Sequence, residues 1–60
     1  MNIKQILMKR DEMSSEDADE LIAEAKEQLY IYLEDGQLSY ADDICNEYFG
    51  LEPDYIDELL

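Results

Sequence analysis

Residues 14–36 read SSEDADELIAEAKEQLYIYLEDG, and this stretch decides the fold. Ser14 offers a side-chain oxygen to the free backbone N–H groups of a helix start, and Asp17 stands three residues later, at the capping-box position. Met13 and Ala18 occupy the two apolar positions that staple the chain around such a cap. Glu16 and Asp17 fall in the first turn, where the aligned peptide dipoles favour anions. Ala18, Leu21, Ile22, Ala25, Leu29, Tyr32 and Leu33 then recur at three- and four-residue intervals. That spacing puts them on one stripe of an amphipathic helix over residues 15–34, about 30 Å long. Gly36, after Asp35, ends it.

The flanks follow the same pattern. Asn2 with Gln5 forms a capping-box pair ahead of a short helix over 3–10, whose apolar stripe is Ile3, Ile6 and Leu7. On the other side Ser39 is read as the cap of a helix over 40–49, with Asp42 at its third position. Ala41, Ile44, Cys45 and Tyr48 form its inner face, and Gly50 stops it in the left-handed conformation. Pro53 fits the first position of a fourth helix over 53–60, with Leu51 and Ile56 stapled around Glu52. Tyr55, Ile56, Leu59 and Leu60 point inward. No strand alternation and no internal repeat is present. Residues 1–60 therefore read as a single all-α domain, a small three- to four-helix bundle.

Composition bounds what such a domain can do. The 60 residues hold 17 Asp plus Glu against four Lys plus Arg, with no His and one Cys, for a net charge of −13. An apolar content of 47% is ordinary for a folded domain, so the charge does not read as disorder. A chain this short buries only about 60% of its unfolded surface, which leaves a marginal core. Without His, the Ser–His and Cys–His nucleophile pairs are excluded. The sequence has no Gly-rich phosphate loop and no Asp-rich calcium loop, so no enzyme, cofactor or metal site is expected. Cys45 reads as a small core residue, and a lone thiol suits a reducing cytoplasm. No segment has the roughly 20 apolar residues of a membrane span. Charge is also uneven. Lys4, Lys9 and Arg10 lie in residues 1–10 with no acid, while residues 11–60 hold every acid and only Lys26. A field of that sign repels nucleic acid and anionic lipid and attracts basic protein surfaces.

The C-terminal stretch 42–60, DDICNEYFGLEPDYIDELL, has helix-turn-helix-like spacing: Cys45 and Phe49 before Gly50, then Leu51, Ile56 and Leu59. Asn46 departs from that pattern, which usually has a small apolar residue there. A recognition helix presents Arg, Lys, Asn or Gln to bases and phosphates. Here Glu52, Asp54, Asp57 and Glu58 stand at those places, so the pair reads as a packing solution and not as a DNA reader.

The more informative constellation is the outer face of the long helix. At 100° per residue, Glu16, Glu20, Glu24, Glu27 and Glu34 fall within a sector of about 80°, opposite the apolar stripe. Neighbours four apart rise about 6 Å along the axis, close to the separation of successive phosphates along a DNA strand. The plain alternative is a solvated acidic face. Ile31, in the middle of the acidic sector, and Tyr30 beside it favour an interface, because solvent has no use for either side chain. The first helix, a partner or a second copy would cover Ile31.

The chain resembles the small acidic proteins encoded by bacteriophages and integrated elements of Gram-positive bacteria, over IKQILMKRDEMSSEDADELIAEAKEQL (3–29) and DICNEYFGLEPDYIDELL (43–60). The resemblance brings no catalytic or binding residues with it. It implies a phage-type inhibitor, since compact acidic phage proteins block restriction and CRISPR nucleases by presenting a false phosphate surface. The expectation is a non-catalytic nucleic-acid mimic in the host cytoplasm. It would bind a basic surface of a nucleic-acid-handling protein through Glu16, Glu20, Glu24, Glu27 and Glu34, with Tyr30 and Ile31 as the apolar anchor. The alternative is a homodimeric structural or assembly protein whose charge serves only solubility.

Overall fold

The computed structural model describes all 60 residues. It has three α-helices, α1 (Ile3–Arg10), α2 (Ser15–Glu34) and α3 (Leu38–Phe49), followed by a 3₁₀ segment, Pro53–Glu58. There is no strand, and the architecture is the small helical bundle that the periodicity predicts. α2 is the platform. Its 20 residues measure about 30 Å, close to the molecule's 34 Å long axis. α1 and α3 pack on either flank of its apolar stripe, and the 3₁₀ segment packs on α3.

The caps at Asn2 and Ser14 form, the first as a full capping box and the second through the Ser14 side chain alone, without a return bond from the Asp17 carboxylate. Asn2 Oδ1 accepts from the Gln5 backbone N–H at 2.8 Å, and Gln5 Oε1 accepts from the Asn2 N–H at 3.0 Å. Ser14 Oγ accepts from the Asp17 N–H at 3.1 Å. α2 ends at Gly36, φ +74°, where Gly36 N–H donates to Leu33 O and Gln37 N–H to Tyr32 O, the paired bonds of a Schellman turn.

α3 and α1 stop alike but with different residues. At the end of α3, Gly50 is left-handed (φ +64°), and Leu51 N–H reaches back to Cys45 O at 3.1 Å. At the end of α1, Glu12 takes the same conformation (φ +56°), and Met13 N–H reaches Leu7 O at 3.3 Å. A left-handed residue with a Cβ costs roughly 1–2 kcal/mol, so Glu12 carries strain that Gly50 avoids.

The core comprises Ile3, Leu7, Ala18, Ala25, Leu29, Ala41, Ile44, Cys45, Phe49 and Leu59. Three of the ten are alanines, which let the helices approach closely but bury little apolar area each. α1 is held at three points as well as by Ile3 and Leu7. Glu58 Oε1 accepts from the Ile3 N–H at 2.8 Å, one of the unpaired donors of the α1 first turn. Lys4 pairs with Asp19 at 3.0 Å. Arg10 donates through Nη2 to the Phe49 carbonyl, at the negative end of α3.

Three expectations need correction. The third helix begins at Leu38, not near residue 40, and Ser39 is not its cap: Gln37 occupies that position without a side-chain bond. The Schellman turn already fixes Gln37 through its N–H, and the Ala41 N–H donates to Gln37 O at 3.1 Å, so the helix starts before Ser39 can act. The fourth element is a six-residue 3₁₀ segment and not an α-helix over 53–60. Tyr55 N–H donates to Glu52 O and Leu59 N–H to Ile56 O, three residues apart, which turns Leu59 inward and leaves Leu60 65% exposed. Leu33, placed on the inner stripe, is exposed. The eight residues of α1 span about 12 Å, and the Lys4–Asp19 pair sets that helix against the first half of α2, short of Leu33 and Ile31.

Candidate functional site: an acidic helix face with an apolar groove

α2 presents Glu16, Glu20, Glu24, Glu27 and Glu34 to solvent; all five are exposed. From Glu16 to Glu34 the row runs about 27 Å. None of them has a Lys or Arg within ion-pair distance. The molecule's two ion pairs are Lys4–Asp19 (3.0 Å) and Arg10–Asp11 (2.8 Å), and neither involves a glutamate of the row. The five glutamates of the α2 face thus form no ion pair within the chain.

Within the row the structure singles out one place. Glu24, Glu27, Gln28 and Ile31 stand at i, i+3, i+4 and i+7 of α2, along one edge of the helix. Together with Tyr48 of α3 they line an open groove of about 260 Å³ between the two helices. Ile31 is 45% exposed and Tyr48 is half-buried. The groove's lining therefore combines two apolar side chains, Ile31 and Tyr48, with two carboxylates and the amide of Gln28. Glu16, Glu20 and Glu34 lie along the same face outside its lining. Tyr30, 46% exposed, is not part of the lining either, because consecutive helical residues diverge by about 100°. Gln28 and Tyr48 are the lining residues that sequence reasoning did not select. Gln28 sits at the border of the apolar stripe. Helical spacing places Tyr48 on the inner face of α3, and only the α2–α3 register brings its ring to the groove.

Two other surface concavities are larger. A concavity of about 410 Å³ is formed by Met1, Gln5, Met8 and Lys9 of the α1 end alone. Another, of about 350 Å³, follows Asp43, Asn46 and Gly50–Pro53. Carboxylates are spread along the helices, and no group of three or more His, Cys, Asp or Glu side chains is placed to hold a metal ion. Tyr32 and Tyr40 stack at 5.6 Å between ring centroids and tie α2 to the start of α3.

Three groups titrate away from their ordinary values, and none of them belongs to the groove. The Arg10 guanidinium hydrogen-bonds both carboxylate oxygens of Asp11, at 3.0 and 2.8 Å. That bonding raises Arg10 and lowers Asp11. Burial pushes the Cys45 thiol up, helped by the charge of Glu58, so the thiol is protonated and shielded in the folded chain.

Comparison with protein-family models, with curated proteins and with solved structures finds no match. Fold and surface define the class of the molecule: a small all-α acidic domain. No helix in it is long and apolar enough to cross a membrane.

Proposed function

We propose that this chain is a non-catalytic, phage-type interaction protein that binds a basic surface of a nucleic-acid-handling protein and takes the place of its nucleic acid. The observation that carries this reading is the row Glu16, Glu20, Glu24, Glu27 and Glu34, exposed along one helix with none of the five in an ion pair within the chain. A face meant only for solubility is commonly laced with lysines at i+4, and this one is not. Charge of this kind speeds association and selects partners more than it adds affinity. Ile31 and Tyr30, half-exposed among the acids, supply the desolvated contact. Such a protein acts in the cytoplasm of the host cell.

The test is capture from a bacterial lysate on the immobilised chain, eluted with salt and, separately, with competing duplex DNA. A nuclease or polymerase that duplex DNA displaces supports the reading. In the Glu20→Gln, Glu24→Gln, Glu27→Gln variant, association of that protein should slow and its salt dependence flatten. Capture unchanged by both DNA and the triple substitution overturns the proposal.

An apolar corner supports a second reading. Leu33 and Leu38, 37% and 62% exposed, flank the α2–α3 turn. On this reading two copies pair there, as a structural or assembly protein. Leu38→Asp should then turn a dimer into a monomer in sedimentation, and a wild-type chain already monomeric at high concentration removes it.

A further inference from the structure

We infer that the groove between α2 and α3 is a docking site for one arginine side chain of a basic partner segment. The inference rests on the reading of the chain as a binder of basic surfaces, and it narrows that reading to an anchor. Three features of the groove match the three parts of an arginine. Ile31 offers an apolar surface for the methylene stem, which such side chains bury while keeping the head in polar surroundings. Tyr48 offers a ring over which the planar guanidinium can stack. Glu24 and Glu27, one turn apart on the same edge of α2, offer carboxylates to its fork of N–H donors.

The occupant has to be cationic and amphipathic. A neutral apolar side chain would leave two carboxylates partly desolvated, and a lysine lacks both the plane and the fork. A second copy of this chain does not meet the requirement. Its one arginine, Arg10, already holds Asp11 and the Phe49 carbonyl, and each copy carries a net charge of −13.

The test uses the full chain, isotope-labelled for NMR, titrated with an octa-arginine and an octa-lysine peptide at the same ionic strength. Octa-arginine should bind about two- to fivefold tighter, the range of an exposed cation–π contact. Its chemical-shift changes should centre on Glu24, Glu27, Ile31 and Tyr48. The Ile31→Asp variant decides the sign. It adds a negative charge at an exposed position but removes the apolar surface for the stem, so a true anchor binds octa-arginine more weakly than wild type. Tyr48→Leu should reduce the arginine-to-lysine preference, leaving the part that the fork on Glu24 and Glu27 supplies. Equal affinity for the two peptides, shifts spread along all of α2, or tighter binding by Ile31→Asp would each overturn the inference. So would concentration-dependent broadening of the groove resonances without peptide, which would place a second copy there. A lysate partner displaced by DNA alongside a failed peptide titration would remove the anchor and leave the broader reading standing. Arginine selectivity without such a partner would do the reverse.

Discussion

α1 and α2 carry opposite charge and dispose of it in opposite ways. Two of the three cations of α1 are tied into the fold: Lys4 to Asp19, and Arg10 to Asp11 and the Phe49 carbonyl. The glutamates of the α2 outer face are tied to nothing within the chain. A domain of this size is held by only about 3–9 kcal/mol. It would gain from letting α1 neutralise the α2 row, yet Lys4 and Arg10 are engaged by Asp19, Asp11 and the Phe49 carbonyl instead. Charge in α1 is part of the architecture; charge in α2 is left for the outside. That difference is what makes the α2 face a candidate site.

The largest expected effect tests how α1 is held. If apolar burial under α1 matters more than its ion pairs, Leu7→Ala should cost about 2–5 kcal/mol, enough to unfold much of the population, as followed by urea denaturation. A loss below about 1 kcal/mol would mean that α1 is held mainly by its polar ties. The next effect concerns the paired helix stops. Glu12→Gly should stabilise by about 1 kcal/mol and Gly50→Ala should destabilise by a similar amount, both in thermal melts. Space is not the issue at Gly50, where an added Cβ would come no closer than 4.0 Å to Arg10 Nη1.

Smaller still is the response of the α2 face. The triple change of Glu20, Glu24 and Glu27 to Gln should raise stability by about 0.5–1 kcal/mol at low salt, because it removes like-charge neighbours three and four apart. Raising ionic strength from about 0.01 to 0.15 M should shrink that gain as the Debye length falls from about 30 to 8 Å. A triple variant less stable than wild type would show that the glutamates have a structural role, and the contrast with α1 would fail. The smallest effect is that of Asp11. Its carboxyl is held below its ordinary value by the Arg10 hydrogen bonds, so its contribution is complete above the ordinary carboxylate range and fades as pH falls through the lowered folded value. The difference in thermal midpoint between wild type and Asp11→Asn should therefore be constant from about pH 5 to 7 and shrink toward pH 2.

What was legible in the sequence was what is decided within a few residues. The caps at Asn2 and Ser14, the stops at Gly36 and Gly50 and the stripe of α2 as far as Tyr32 are all local in sequence, and each appears in the structure. The outward position of the glutamates followed from the same 100° step. Features set by elements distant in sequence were not legible. Glu58 reaching the Ile3 N–H spans 55 positions, and Arg10 reaching Phe49 spans 39. Tyr48 lining the groove depends on how α3 lies against α2, which no spacing within either helix encodes. The misplaced Ser39 cap shows local rules in competition: the turn after Gly36 hands Gln37 straight into α3. The left-handed Glu12 gave no warning, because nothing in its residue type marks it for that conformation.

Cys45 has a consequence of its own. It is the chain's single thiol and lies with no accessible surface, its ionisation suppressed by the surrounding core. A thiol-specific dye added to the native protein can react only when α3 parts from its neighbours, so the colour develops at the rhythm of that opening. The molecule thus contains its own stopwatch, able to record, without any engineered probe, how long the bundle stays shut when a visitor settles on its flank.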